Sequence, residues 1–342
     1  MMFVNPSTAM IAKAKSKYGR RLTSKDYDAL VHCRSVGDVV RYLKTETDYQ
    51  RCLSKVGSDV HRGNLENILR KDSFNSFLSL CRYQRSGSPV TAYLLRRTEI
   101  DELVKFCTLL AIGRPKEYLF SAPLYFAEHT ELPLDRLSSI SSYDELIDML
   151  GRHPFSGVLE QCRTFDGSID IAGINDALQI FSIKELYDGI AHMKNKSERD
   201  TLTSLVNTLC DYQNYSRIMR MKRFYRMDND TLRRHLLPFG KLSGRKLDRY
   251  LSDESYQGVR ESLADSEVGR KAHQIDLDDE MAVKGRFIKC RHEMYFSTYP
   301  EVVLLAYYVV AETELKNIIT VVEGVRYSME PKSIAKMLIL PE

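Results

Sequence analysis

The 342-residue sequence has no tryptophan, no CxxC pair and no apolar run long enough to span a membrane. Its longest such run, VVLLAYYVVA from Val302 to Ala311, has ten residues, about half of the roughly 20 that a bilayer-spanning helix needs. The opening MMFVNPSTAMIAKAK lacks the long apolar core of a signal peptide. The seven cysteines, at 33, 52, 81, 107, 162, 210 and 290, are odd in number, which fits buried thiols in a reducing compartment. The expectation is a soluble cytoplasmic chain that meets a membrane only through a partner. Neither GxxxxGK[ST] nor GxGxxG occurs, so no glycine-rich loop presents backbone amides to a nucleotide. HExxH and GxSxG are missing too. The net charge of +4, from 50 basic and 46 acidic side chains, is too small to imply a polyanionic partner by itself. Strand-type alternation of useful length is absent.

What is present is helical and repeated. Hydrophobic residues make up 43% of the chain and charged residues 28%, a globular composition able to build cores. Three stretches share a carboxylate, a polar side chain three residues on, and then an apolar residue: EIDEL from Glu99, DYQNY from Asp211 and ELKNI from Glu314. The repeat positions are therefore Glu99 and Glu102, Asp211 and Asn214, and Glu314 and Asn317, at nearly equal intervals along the chain. A second pattern agrees. Leu22, Tyr27, Leu30, Ser35, Val39 and Leu43 recur in unbroken register as Leu242, Leu247, Tyr250, Ser255, Val259 and Leu263. A shorter copy runs through Leu132, Leu137, Ile140, Ser142, Leu146 and Leu150. The period, about 110 residues, exceeds that of ordinary solenoids and is long enough for a small domain. The fold expected is all-α, three similar helical domains over 1–115, 116–228 and 229–342 around a pseudo-threefold axis.

Apolar residues fall at the i, i+3, i+4 spacing of amphipathic helices in both patterns. Ser35 precedes Asp38 and Ser142 precedes Glu145 by three, as helix-capping serines would. Ser255 has Gly258 at that position, so its box is incomplete. Longer helices are expected over 61–85, 89–112, 182–235 with interruptions, and 284–323. Breakers stand at Gly113 and Pro115, at Asp166-Gly167-Ser168, at Pro238 to Gly240 and at Pro331.

Candidate chemistry is thin. The best metal-ligand cluster is His273, Asp276, Asp278, Asp279 and Glu280, but acidic residues at a helix start more commonly complement the macrodipole. No metal or cofactor is expected. The segment RIMRMKRFYRMDNDTLRR, from Arg217 to Arg234, holds seven basic and two acidic residues around Phe224 and Tyr225. Interleaved basic and aromatic side chains could track a nucleic acid, so a basic helical adaptor for nucleic acid is the alternative reading. Helical spacing favours a solvated face or protein interface instead, with Arg217, Arg220 and Arg223 outward and Ile218, Met221 and Phe224 nearer the core.

The stretch with Asp211, Asn214, Arg220 and Lys222 is similar to the D-x-x-N…R-x-K signature of the C-type (AC39) subunits of V-type/A-type rotary ATPases, whose eukaryotic relative is the d-type subunit. Tyr299 to Ile339 resembles that family's ending, and AKAKSKYGRRLTSKDYDALV its opening. The resemblance implies a non-catalytic rotor subunit of the central stalk, shaped as a funnel. It would join shaft subunits of the D and F type to the proteolipid ring and pass on torque for ATP-coupled proton or sodium transport. It would be present once per complex, peripheral on the cytoplasmic face, and a monomer when isolated. The basic pair is not common to all repeats: Thr108 and Leu110, and Glu323 and Val325, stand where Arg220 and Lys222 do. Arg220, Lys222 and Arg223 are thus expected to dock another rotor subunit.

Overall fold

The computed structural model describes residues 6–57, 59–84, 87–274 and 281–340, and among them every regular element is helical. The chain begins with α1 (Pro6–Tyr18), α2 (Ser24–Val31), α3 (Val36–Glu46), α4 (Gln50–Leu53) and α5 (Arg62–Cys81). Next come α6 (Pro89–Ala111), α7 (Leu134–Leu137), α8 (Tyr143–Leu150), α9 (Phe155–Gln161) and α10 (Ile171–Ala191). They are followed by α11 (Lys196–Arg220), α12 (Asn229–Arg234), α13 (Gly244–Tyr250), α14 (Tyr256–Ala264) and α15 (Glu267–Gln274). The chain closes with α16 (Arg286–Phe296), α17 (Pro300–Arg326) and α18 (Pro331–Lys336). Two compact units result, one from residues 1–86 with 283–342 and one from residues 87–282.

In the first unit the two ends of the chain share a core. Leu22, Tyr27, Leu30, Val39 and Leu43, from the short helices α2 and α3 and the turn before them, pack on Leu315, Ile318, Val321, Val322 and Val325 of α17. Each fully buried leucine or valine stabilises the fold by about 1.5–3 kcal/mol relative to exposure. The second unit repeats the arrangement: Leu242, Leu247, Val259 and Leu263 pack with Tyr212, Tyr215, Ile218 and Met219 of α11. Counted from Asp211 and from Glu314, the long-helix residues match at offsets +1, +4, +7 and +8. This is the face that a 3.6-residue period buries. Pro89 of α6 lies against Gly189 of α10, where an added Cβ would come within 2.7 Å of the proline ring.

Local caps follow the spacing in the sequence. The side chains of Ser35, Ser142 and Ser255 each accept the amide three residues on, from Asp38, Glu145 and Gly258. A complete capping box stands at Thr23 and Asp26. Two of the longer helices differ from expectation. The run over 284–323 is broken at Ser297–Tyr299, because Pro300 at the first turn of α17 holds Tyr299 extended. The helix expected from 182 begins at Ile171 instead, with the Asp170 side chain accepting the Gly173 amide. The cluster from Asp276 to Glu280 lies outside the described residues, as does the side chain of His273. Among the described residues no group of three or more His, Cys, Asp or Glu side chains could hold a metal. No described helix is long and apolar enough to cross a membrane.

Candidate functional site

The three repeat carboxylates are buried on long helices, and each accepts at least one backbone amide from the segment leading into a short-helix pair. On α6, Glu99 Oε1 accepts from Thr130 Oγ1 (2.8 Å) and the Glu131 amide (3.3 Å). On α11, Asp211 Oδ1 accepts from the amides of Lys241 and Leu242, both at 2.7 Å. On α17, Glu314 Oε2 accepts from the Leu22 amide (3.0 Å) and Oε1 from Tyr49 Oη (2.9 Å). Leu22 and Leu242 are the opening leucines of the second sequence pattern, and the third, Leu132, directly follows Glu131. The carboxylate pattern and the leucine pattern are therefore two halves of one clasp. Sequence reading found both halves but not their pairing, which joins residues 292 positions apart in the case of Leu22 and Glu314.

The residues three positions on diverge. Asn214 donates to the carbonyls of Leu237 (2.9 Å) and Leu242 (3.0 Å) and accepts from the Leu237 amide (2.8 Å). Asn317 donates to the Ile339 carbonyl (2.7 Å) and accepts from its amide (3.0 Å). Glu102 instead takes Tyr118 Oη (2.9 Å) and Lys105 Nζ (3.1 Å), holding the turn over Pro115–Phe120 against α6.

Electrostatically the clasps are not alike. Glu99 meets the Arg96 guanidinium at 2.9 Å, with His153 Nε2 3.8 Å away and held below the usual imidazole range by burial. Burial raises Glu314, which Arg21 opposes from 3.9 Å. Burial also raises Asp211, while its two backbone hydrogen bonds oppose the shift. Gly240, at φ +84°, brings Lys241 and Leu242 onto Asp211, and a Cβ there would overlap the carboxylate and lie 3.0 Å from the Asn207 carbonyl.

The basic segment divides. Arg217 is half-buried and pairs with Asp176 (3.0 Å), and Arg233 with Asp230 (2.7 Å) and Asp248 (3.2 Å). Lys222 is only 2% exposed and donates to the carboxylate of Glu254 (2.8 Å) and to its carbonyl (3.0 Å). The expectation that it faces a partner beside Arg220 and Arg223 meets a physical reason against it. Its offset of +11 from Asp211 is a core offset, occupied by buried Leu110 and Val325 in the other copies. Arg220 and Arg223 are exposed. Phe224, expected nearer the core, lies in the π-type turn over Met221–Tyr225 that follows α11 and is exposed as well, because the 3.6-residue period places its offset from Asp211 opposite the buried face. A feature missed from sequence is its place at offset +13 from the carboxylate. Ile112, Phe224 and Tyr327 share that offset and are 61%, 64% and 67% exposed.

No curated protein shows significant similarity to the chain. Residues 10–337, nearly the whole sequence, match the family described as ATP synthase (C/AC39) subunit, and the chain belongs to that family.

Proposed function

We propose that this chain is the non-catalytic central-stalk subunit of its complex, a socket that joins the central shaft to the membrane proteolipid ring and transmits torque between them. Family membership makes it a subunit of a V/A-type ATPase. The observation that carries the finer reading is the recurrence of one buried clasp on three long helices, each with an exposed apolar side chain at offset +13. A torque-bearing part needs stiffness. Buried carboxylates that fix each long helix to its short-helix pair supply it, because close-packed interiors resist deformation. Repeat domains over 1–115, 116–228 and 229–342 belong to this reading, as do single-copy assembly and a membrane reached only through the ring.

Within it, Arg220 and Arg223 meet an asymmetric partner such as the shaft foot, while Lys222 anchors their turn from inside. Reversing Arg220 and Arg223 to Glu is expected to slow association with purified D- and F-type shaft subunits more than it speeds dissociation. Unchanged binding to both shaft and detergent-solubilised ring refutes their role. Failure of the wild-type protein to bind either one refutes the socket itself. Mixed DNA and RNA at two salt concentrations serve as the control, since a nucleic-acid complex would weaken steeply with salt.

A further inference from the structure

Beside Asp211 the second unit has a cavity of about 270 Å³, lined by Ser204, Asn207, Thr208, Asp211, Lys241 and Glu267 among others. Asp211 is 4% exposed and lines this space. Its Oδ1 takes both backbone amides, and its Oδ2 takes no hydrogen bond from the described residues. The two lysines at the rim are already engaged, Lys241 Nζ at 2.8 Å and Lys271 Nζ at 3.1 Å from Glu267.

The other two copies show what such a carboxylate receives. Arg96, three residues before Glu99, places its guanidinium 2.9 Å from the carboxylate and extends its Nε toward Glu185 at 3.4 Å. Arg21 approaches Glu314. In the Asp211 copy the residue three positions back is Thr208, which is too short to fill the space, and the cavity lies there. Its lining carries three carboxylates, Asp200, Asp211 and Glu267, against two ammonium groups. The volume is below the roughly 300–1,000 Å³ of sites that enclose a whole small ligand, so it suits a side-chain terminus or a small cation and not a nucleotide. A planar guanidinium presents a fork of N–H donors to a carboxylate, and it sheds water more readily than an ammonium.

We propose that the cavity beside Asp211 is a guanidinium site, taking from outside the cation that Arg96 supplies internally to Glu99. The group is carried either by an arginine of a partner protein or by a free small guanidine. The site is independent of the rotor reading, since it rests on the contrast between copies within this chain.

The test titrates arginine amide into ¹⁵N-labelled protein and follows the Lys241 and Leu242 amides, with citrulline amide as the neutral control of the same shape. A saturable shift with arginine amide and none with citrulline amide is expected. Thr208→Arg should abolish that response and slow hydrogen exchange of the Lys241 and Leu242 amides by supplying the guanidinium from within. No response, or an equal response to both ligands, overturns the proposal. If Thr208→Arg does not fold, the comparison of ligands on the wild-type protein still decides. Where the response is present, at least tenfold weaker binding of purified shaft or ring by Thr208→Arg assigns the source to a partner's arginine. Unchanged partner binding assigns it to a free guanidine. A failed rotor assignment would show as absent binding by the wild type, leaving the ligand titration unaffected.

Discussion

Replacing Asn214 with Leu tests whether the polar residue after the Asp211 clasp holds the chain segment leading into the short helices. Leucine has nearly the same shape, so the change removes hydrogen bonds without opening a large cavity. Three bonds disappear, leaving the Leu237 amide and the Leu237 and Leu242 carbonyls without that partner. Unpaired buried polar groups cost about 1–3 kcal/mol each, roughly 3–9 in all. The apolar surface gained by a fully buried leucine offsets about 2 kcal/mol. Movement of residues 237–242 toward water recovers part of the rest, so the net loss is about 3–5 kcal/mol. Asn317→Leu removes two such bonds and should cost less, about 1–3 kcal/mol. Because the two compact units need not unfold together, a single melting temperature is a poor readout. Native-state hydrogen exchange is better: the Leu237 amide, which loses its partner, should exchange roughly several hundredfold or more faster in Asn214→Leu, and the Leu242 amide, which keeps Asp211, less so. Asn317→Leu should leave both unchanged and loosen the Ile339 amide instead. Unaltered protection of Leu237 in a folded Asn214→Leu protein would refute the reasoning.

Gly240→Ala combines an unfavourable φ with overlap of the Asp211 carboxylate. It should destabilise the second unit by at least about 1–3 kcal/mol, and a variant as stable as wild type in urea would contradict the clasp geometry. Lys222→Met puts an apolar chain at an offset that Leu110 and Val325 fill elsewhere, and it leaves Glu254 partly solvated. Stability should change by no more than about 1 kcal/mol, whereas Lys222→Glu should cost about 3–5 kcal/mol, and equal effects from the two would sink the core assignment. Burial raises Asp211 above its ordinary 3.8. Between that pH and its raised folded value the native state binds more protons than the unfolded one, so this group's contribution to stability falls as pH rises. The stability of wild type relative to Asp211→Asn should therefore decline as pH rises from about 4 toward 7, and a flat difference would show that burial does not govern this carboxyl.

Local sequence determined whatever is settled within one or two turns of chain. The serine caps at 35, 142 and 255 follow from a hydroxyl three residues before an unpaired amide. The buried faces of α2, α3, α11 and α17 follow from 3.6-residue periodicity. The start of α10 was legible too, in Asp170 three residues before Gly173, though the apolar spacing alone pointed three turns too late. The all-α class and the family resemblance likewise rest on the residues alone.

Only the tertiary structure decided which backbone each repeat carboxylate meets. Glu314 accepts from Leu22 because the last long helix returns to the first short helices, and no spacing along the chain encodes that return. The structure alone also separated Lys222 from Arg220 and Arg223. A charge run in sequence reads as one surface, but the side chain at a core offset lies inward, where the Glu254 carboxylate neutralises it. Phe224 lies outward for a related reason, since its offset falls opposite the face that packing buries, as it does for Ile112 and Tyr327. The open space beside Asp211 is of the same kind. Sequence shows Thr208 where Arg96 stands in another copy, but only packing reveals that nothing else among the described residues fills the gap.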